Sequence, residues 1–249
     1  MHNFFVEEND RNADNFYISG TDYNHIKNVL RMKIGDTFLV SCNGISNLCE
    51  LNKIEENIAI AKIIEENYND TNLPVEIYLF QGLPKADKME LIIQKTVELG
   101  VSAIIPTEMN RCVVKLEEKK KRQKQERWQA IAESAAKQSK RNSIPEVYES
   151  VSYKKALEIA KNLDLLLVPY ENKDGMKSTK EALKNIKNGM KIGIIIGPEG
   201  GFTENEIESA IDNGGNIISL GKRILRTETA AITAVGMCML YTEINEDLL

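Results

Sequence analysis

From residue 75 onward, short β-branched runs alternate with stretches of helical spacing, and few architectures accept that order. The runs cover residues 75–80, 101–105, 163–168, 192–196 and 217–220. Between the first two, Met89, Ile92, Ile93 and Val97 recur at helical spacing, and Gly100 follows where a helix C-cap favours glycine. Strands joined through helices run parallel, and the crossover helices cover both faces of the sheet. An α/β domain with a mainly parallel sheet is the expectation.

The preceding residues read differently. Residues 38–40, 48–54 and 58–64 are short, partly alternating and β-branched, and one helical segment at 22–30 interrupts them. Asn43-Gly44 between two of these runs predicts a tight hairpin, because both residues tolerate positive φ. A small β-barrel or sandwich, a common platform for nucleic acid, fits the pattern. Residues 66–74 are polar and end in Pro74, so two domains are expected, 1–70 and 73–249.

The residue inventory excludes several function classes. No apolar run reaches the roughly 18 residues of a membrane helix. Residues 1–8 lack the basic start and long apolar core of a secretion signal, so a cytoplasmic setting is expected. Cys42, Cys49, Cys112 and Cys238 form no C-x-x-C pair, which points to free thiols and no metal site. His2 and His25 are the two histidines, so a Ser-His-Asp hydrolase would have to reach back to the first domain for its base.

Charge is unevenly spread. Residues 111–141 hold eleven Lys/Arg against four Asp/Glu in a chain whose net charge is −5. Such a strip suits a phosphate-facing surface. It equally suits a solvated helix face, since Glu117, Glu118 and Glu126 flank Lys119-Lys120-Lys121-Arg122.

Two loops carry the chemistry. The run at 192–196 opens into Gly197-Pro198-Glu199-Gly200-Gly201, where glycine permits close backbone approach, and Thr203 with Glu206 forms a T-x-x-E capping box. The loop lacks the Gly-Lys-Ser/Thr of a P-loop and the G-x-G-x-x-G of a dinucleotide fold, and Glu199 disfavours an anion. The second loop, Leu220-Gly221-Lys222-Arg223-Ile224-Leu225-Arg226, leads into Thr227-Glu228-Thr229-Ala230 and a helix rich in small residues. Two such loops at strand ends of one open sheet predict a shared pocket.

On these motifs the chain resembles the ribosomal RNA small subunit methyltransferase E family, of the SPOUT class of methyltransferases. The likeness runs over essentially the whole length. It is carried by residues 25–32, by Lys88-Met89-Glu90 with Gln94-Lys95 and Glu98-Leu99-Gly100-Val101, by residues 138–145, and above all by the two loops. The resemblance implies a PUA-like N-terminal β-barrel for RNA and a C-terminal α/β domain with a deep trefoil knot. It implies a homodimer, with S-adenosyl-L-methionine as cofactor. The implied reaction is methylation of a uridine at N3 in 16S rRNA, within the assembled small ribosomal subunit. Two departures stand out. His2-Asn3 precede Phe4-Phe5 where the family often has an arginine, and Ser139-Lys140 stand where it often has Cys-Gly.

Residue roles follow from that likeness. Arg226, Glu228 and Arg141 are the catalytic candidates, with Arg226 first because a guanidinium stays charged beside a developing anion. Leu167, Pro169, Gly197, Pro198, Glu199, Gly200, Leu220, Gly221, Ile224, Leu225, Thr227 and Ala230 are expected around the cofactor. His25, Arg31, Lys88, Arg111, Lys137 and Arg141 are expected to face RNA. A non-catalytic ribosome assembly factor, a SPOUT enzyme with another RNA target, and a nucleotide-dependent enzyme are the rival readings.

Overall fold

The computed structural model describes residues 1–170 and 175–245. The chain divides into two compact units. Met1–Asn72 and Ala136–Ile144 form the first, and Leu73–Ala135 with Pro145–Leu249 the second.

The first unit holds strands β1 (Asn3–Val6), β2 (Arg11–Asn12), β3 (Asn15–Ser19), β4 (Thr37–Cys42), β5 (Ile45–Ile54) and β6 (Ile58–Glu65). They form a sheet in the order β1-β4-β5-β6-β3-β2. The Asn43-Gly44 hairpin is present: Cys42 pairs with Ile45, and the two loop residues have φ of +50° and +77°. Register shifts after Leu48 and Leu51 bend β5, as bulges do, and curl the sheet around its apolar face. Phe4, Phe16, Ile18, Phe38, Val40 and Leu51 fill that face, and Phe4 meets Phe38 edge to face at 5.4 Å. Strands β1 and β3 lie outside the three expected runs. A helix, α1 (Gly20–Asn24), passes directly into a π turn at His25–Val29.

In the second unit strands alternate with helices as expected. They are β7 (Glu76–Gly82), α2 (Lys88–Glu98), β8 (Ala103–Glu108), α3 (Glu118–Ser139), β9 (Glu146–Val147), β10 (Val151–Ser152), α4 (Tyr153–Ala160), β11 (Leu165–Pro169), α5 (Met176–Leu183), β12 (Lys191–Ile196), α6 (Glu204–Asp212), β13 (Gly215–Ile218) and α7 (Thr227–Ile244). The last turn of α3 is counted with the first unit. The sheet runs β10-β8-β7-β12-β11-β13 with β9 beside β8, and its described pairings are parallel. Strand β12 therefore enters between β7 and β11, and α7 returns from the β13 edge to pack on α2.

Two helix ends show how local sequence sets the breaks. Gly100 closes α2 with φ +95°, and the Val101 and Gly100 N–H groups bond the Thr96 and Val97 carbonyls, a Schellman motif. The same motif closes α3, where Arg141 and Lys140 bond Ala136 and Lys137, but there Lys140 itself takes φ +59°. The T-x-x-E box also forms, with Thr203 and Glu206 capping α6 reciprocally.

Candidate active site

Because the sheet is parallel, the carboxyl ends of β7, β8, β11, β12 and β13 share one edge. One threonine draws three of its segments together. Thr227, the first residue of α7, donates Oγ1 to the Gly197 carbonyl at 2.7 Å and accepts from Gln81 Nε2 at 3.0 Å. Gln81 Nε2 also donates to the Gly82 carbonyl at 2.9 Å. A Cβ on Gly82 would stand 2.7 Å from the Pro198 nitrogen, so only glycine lets β7 end against the next loop. The two loops singled out in the sequence are thus neighbours.

The loop after β12 is held from both sides. Lys88, at the start of α2, places Nζ 3.0 Å from Glu199 Oε1 and 3.5 Å from Glu228 Oε2. The Lys85 N–H donates to the same Glu199 oxygen at 3.0 Å. Partial burial opposes ionisation of Glu199, but the Lys88 ammonium and these N–H donors together hold its carboxyl below the ordinary carboxylate range. The Lys88 ammonium is stabilised in turn, chiefly by its hydrogen bond to Glu199. On the other side Arg111 donates to the Gly200 carbonyl at 3.0 Å. Behind it the buried Glu206 carboxylate accepts from the Asn110 and Thr203 N–H groups, each at 2.8 Å.

The loop after β13 is open by contrast. From Lys222 to Leu225 the backbone N–H and C=O groups find no partner among the described residues. Gly221 has φ +110° with free space where a Cβ would be. Ile224 is 98% exposed, and Leu220 and Leu225 are half-buried. Tyr170, after β11, meets Phe202 edge to face at 6.3 Å and bonds the Ile218 carbonyl through its N–H. Arg226 is exposed, and its guanidinium has no ion pair or hydrogen bond among the described residues.

The cofactor candidates therefore fall into three groups. Leu220, Gly221, Ile224 and Leu225 line the open loop, with Pro169 at the end of β11. Gly197, Pro198, Gly200 and Thr227 build its neighbour, while the Glu199 carboxylate is turned to Lys88. Leu167 is fully buried in mid-strand, and Ala230 lies within the first turn of α7, where its N–H bonds the Arg226 carbonyl.

The RNA candidates divide as well. His25 and Arg31 are exposed, and Arg31 has φ +52°. Lys88 is committed to two carboxylates and Arg111 to Gly200. Lys137 pairs with Asp22 at 2.9 Å. Arg141 is 7% exposed, and burial pulls its guanidinium down to about 10, so it stays charged at neutral pH. Arg141 belongs to the first unit, whereas Arg226 and Glu228 belong to the second. Within the basic strip, Lys120, Lys121, Arg122 and Arg127 pair with Glu117, Glu118, Glu126 and Glu90, which engages four of its eleven cations. Asn3, where the family often has arginine, is buried and donates to the Arg141 carbonyl at 2.9 Å.

Gln81, Tyr170 and Phe202 were not anticipated as site residues. A signal existed for Gln81: a lone amide ending an apolar strand just before Gly82-Leu83-Pro84. Pairing of Tyr170 with Phe202 depends on which strands become neighbours, and spacing does not carry that.

Among the described residues no helix is long and apolar enough to cross a membrane. Residues 71–239 match the model of an RNA methyltransferase domain, and residues 18–64 that of an RNA methyltransferase PUA domain. Fold and site together thus define an RNA methyltransferase class: a PUA-like unit joined to a parallel-sheet α/β unit. Ribosomal RNA small subunit methyltransferase E of Bacillus subtilis (strain 168) is 39% identical, over 98% of this chain and 98% of its own length. The same enzyme from Neisseria gonorrhoeae, in a crystal structure bound to S-adenosyl methionine, is 31% identical with a TM-score of 0.79, covering 96% of this chain and 97% of its own. A putative methyltransferase of Legionella pneumophila, in complex with the bound cofactor SAM, is 28% identical at a TM-score of 0.79, covering 96% of each chain. The chain belongs to the ribosomal RNA small subunit methyltransferase E family.

Proposed function

We propose that this protein transfers a methyl group from S-adenosylmethionine to N3 of a uridine in 16S rRNA, acting as a cytoplasmic homodimer on the assembled small subunit. The observation that carries the reading is the Thr227–Gly197 bond of 2.7 Å, which sets the open loop and Arg226 beside the glycine loop. The residues present suit the cofactor. The unpartnered backbone of Lys222–Leu225 can hydrogen-bond the edge of an adenine, and Leu220, Ile224 and Leu225 offer apolar cover for its faces. Gly221 leaves room for close approach.

S-adenosylmethionine, when bound, supplies a methyl carbon made electrophilic by its sulfonium. The chain's own task is to place a uracil in line and stabilise the negative charge left when N3 loses its proton. Holding two reactants in line contributes about 7–11 kcal/mol in favourable cases. Arg226 is the charge stabiliser, since its guanidinium is exposed and has no ion pair among the described residues. Glu228 is enclosed, with its Oε2 facing Lys88, and serves this reading as an anchor for the start of α7. His25 and Arg31 supply RNA contacts from the first unit.

The dimer proposal rests on apolar surface. Leu240 and Ile244 of α7 are 53% and 77% exposed, and Leu91 of α2, which packs beside α7, is 42% exposed. A second copy presenting the same face would cover them isologously. The knot belongs to the same proposal, with the return of the chain from β13 to α7 as the passage that would thread it.

Nucleoside analysis of 16S rRNA tests the function. Small subunits lacking the modification should gain N3-methyluridine on incubation with the purified protein and S-adenosylmethionine, and unchanged rRNA refutes the reading. Calorimetry tests the placement of the cofactor. Gly200→Arg and Leu225→Arg should each weaken S-adenosylmethionine binding at least tenfold, and undiminished affinity in both refutes it.

A further inference from the structure

A lysine at the first position of a helix is disfavoured by the helix dipole, which prefers negative charge there. Lys88 occupies that position in α2 and is offset by two carboxylates drawn from separate segments, Glu199 after β12 and Glu228 in the first turn of α7. Both carboxylates reach the same ammonium, so they stand close to each other and would repel without it. Arg226 lies two residues from Glu228, is exposed, and carries no ion pair among the described residues. Lys222 and Arg223 nearby are likewise exposed. Two carboxylates close to each other, one of them two residues along from Arg226, attract a cation, and here Lys88 of α2 fills that place.

We propose that Lys88 is a positioning residue: by occupying Glu199 and Glu228 it keeps the Arg226 guanidinium unpaired and available to substrate. The proposal rests on the methyl-transfer reading for the role of Arg226. It is an alternative to the role expected for Lys88 in the sequence, a contact to RNA, which for an ammonium would be to phosphate. The two roles separate cleanly. A phosphate contact acts on substrate binding, so its loss raises KM for the subunit and flattens the salt dependence. A residue that keeps Arg226 free acts on the charge that develops during transfer, so its loss lowers kcat.

The test uses the full-length protein with Lys88→Met, Lys88→Arg and the double variant Lys88→Met with Glu199→Gln. In a crystal structure of Lys88→Met, the Arg226 guanidinium should lie within about 4 Å of the Glu199 or Glu228 carboxylate, the ordinary reach of an ion pair. In transfer of labelled methyl to small subunits, Lys88→Met should lose about tenfold or more in kcat, short of the roughly 10²–10³-fold that removing a transition-state donor costs. KM for the subunit should be little changed. Lys88→Arg should retain most of the rate, and removing one surplus carboxylate in the double variant should restore part of it. An Arg226 that stays unpaired in Lys88→Met overturns the proposal. So does a loss confined to KM that Glu199→Gln does not repair. The crystallographic readout does not depend on turnover: an inactive wild type with Arg226 captured in Lys88→Met would reject the methyl-transfer reading and leave the pairing role of Lys88 supported.

Discussion

At the scale of single residues, two side chains stand where local preference argues against them. Lys140 adopts φ +59° at the residue that closes α3, a left-handed conformation costing an L-residue about 1–2 kcal/mol and glycine almost nothing. Lys140→Gly should therefore stabilise the protein by up to about 1 kcal/mol after the entropy glycine loses on folding. Urea midpoints measure this, and a destabilised variant would show that the lysine side chain makes up the difference elsewhere. Arg226 is the second, a cation at the N-cap of α7 with no ion pair among the described residues. Arg226→Ala should leave S-adenosylmethionine affinity near that of the wild type while turnover falls by about 10²–10³-fold, and single-turnover assays beside calorimetry separate the two. Arg226 stands out in the sequence as one of three cations crowded before Thr-Glu-Thr, and its proposed role starts from that position. The commitments of Lys88, Arg111 and Lys137 were not legible there, because their partners lie 111, 89 and 115 residues away along the chain.

At the scale of elements, the site depends on how strand ends are tied to the helix that follows them. Thr227→Val keeps the shape but removes the donor to Gly197 and the acceptor for Gln81. Leaving such groups unpaired should cost about 1–3 kcal/mol of stability and weaken cofactor binding as the two loops separate. Thermal unfolding with a parallel titration of S-adenosylmethionine checks both. The Glu199–Lys88 pair that joins the glycine loop to α2 carries a pH signature. The folded-state carboxyl sits below its ordinary value, so its contribution is present at neutral pH, above the unfolded value, and fades as pH falls through the folded one. The difference in urea midpoint between wild type and Glu199→Gln should thus shrink on acidification below about pH 4.3, the ordinary glutamate value. A pH-independent difference would contradict it. Elements with strong local signals were legible: the Asn43-Gly44 hairpin, the glycine after α2 and the T-x-x-E start of α6. Strands β1 and β3 were missed because each is short, and β1 exists only through its parallel pairing with the distant β4.

At the scale of the whole molecule, RNA affinity should reflect the cations that remain unpaired, not the total. Arg31 in the first unit and Lys119, Lys222 and Arg223 in the second are exposed. About four phosphate contacts on single-stranded-like RNA predict a slope near −3 for log K against log salt. A flat profile in filter binding would exclude these residues as phosphate contacts. Leu240→Glu with Ile244→Glu should shift sedimentation from dimer to monomer, and an unchanged dimer would move the interface elsewhere. What the sequence determined unaided is whatever depends on neighbours a few residues apart. That covers the alternation of strand and helix, the helix caps, and the two loops whose residue order marks the family. Tertiary structure alone decided the order of strands, with β12 entering between β7 and β11. It also decided which charges are spent internally and which stay free. Parallel pairing and ion pairing join residues far apart along the chain, and no short-range spacing encodes which distant partner a strand edge or an ammonium will meet.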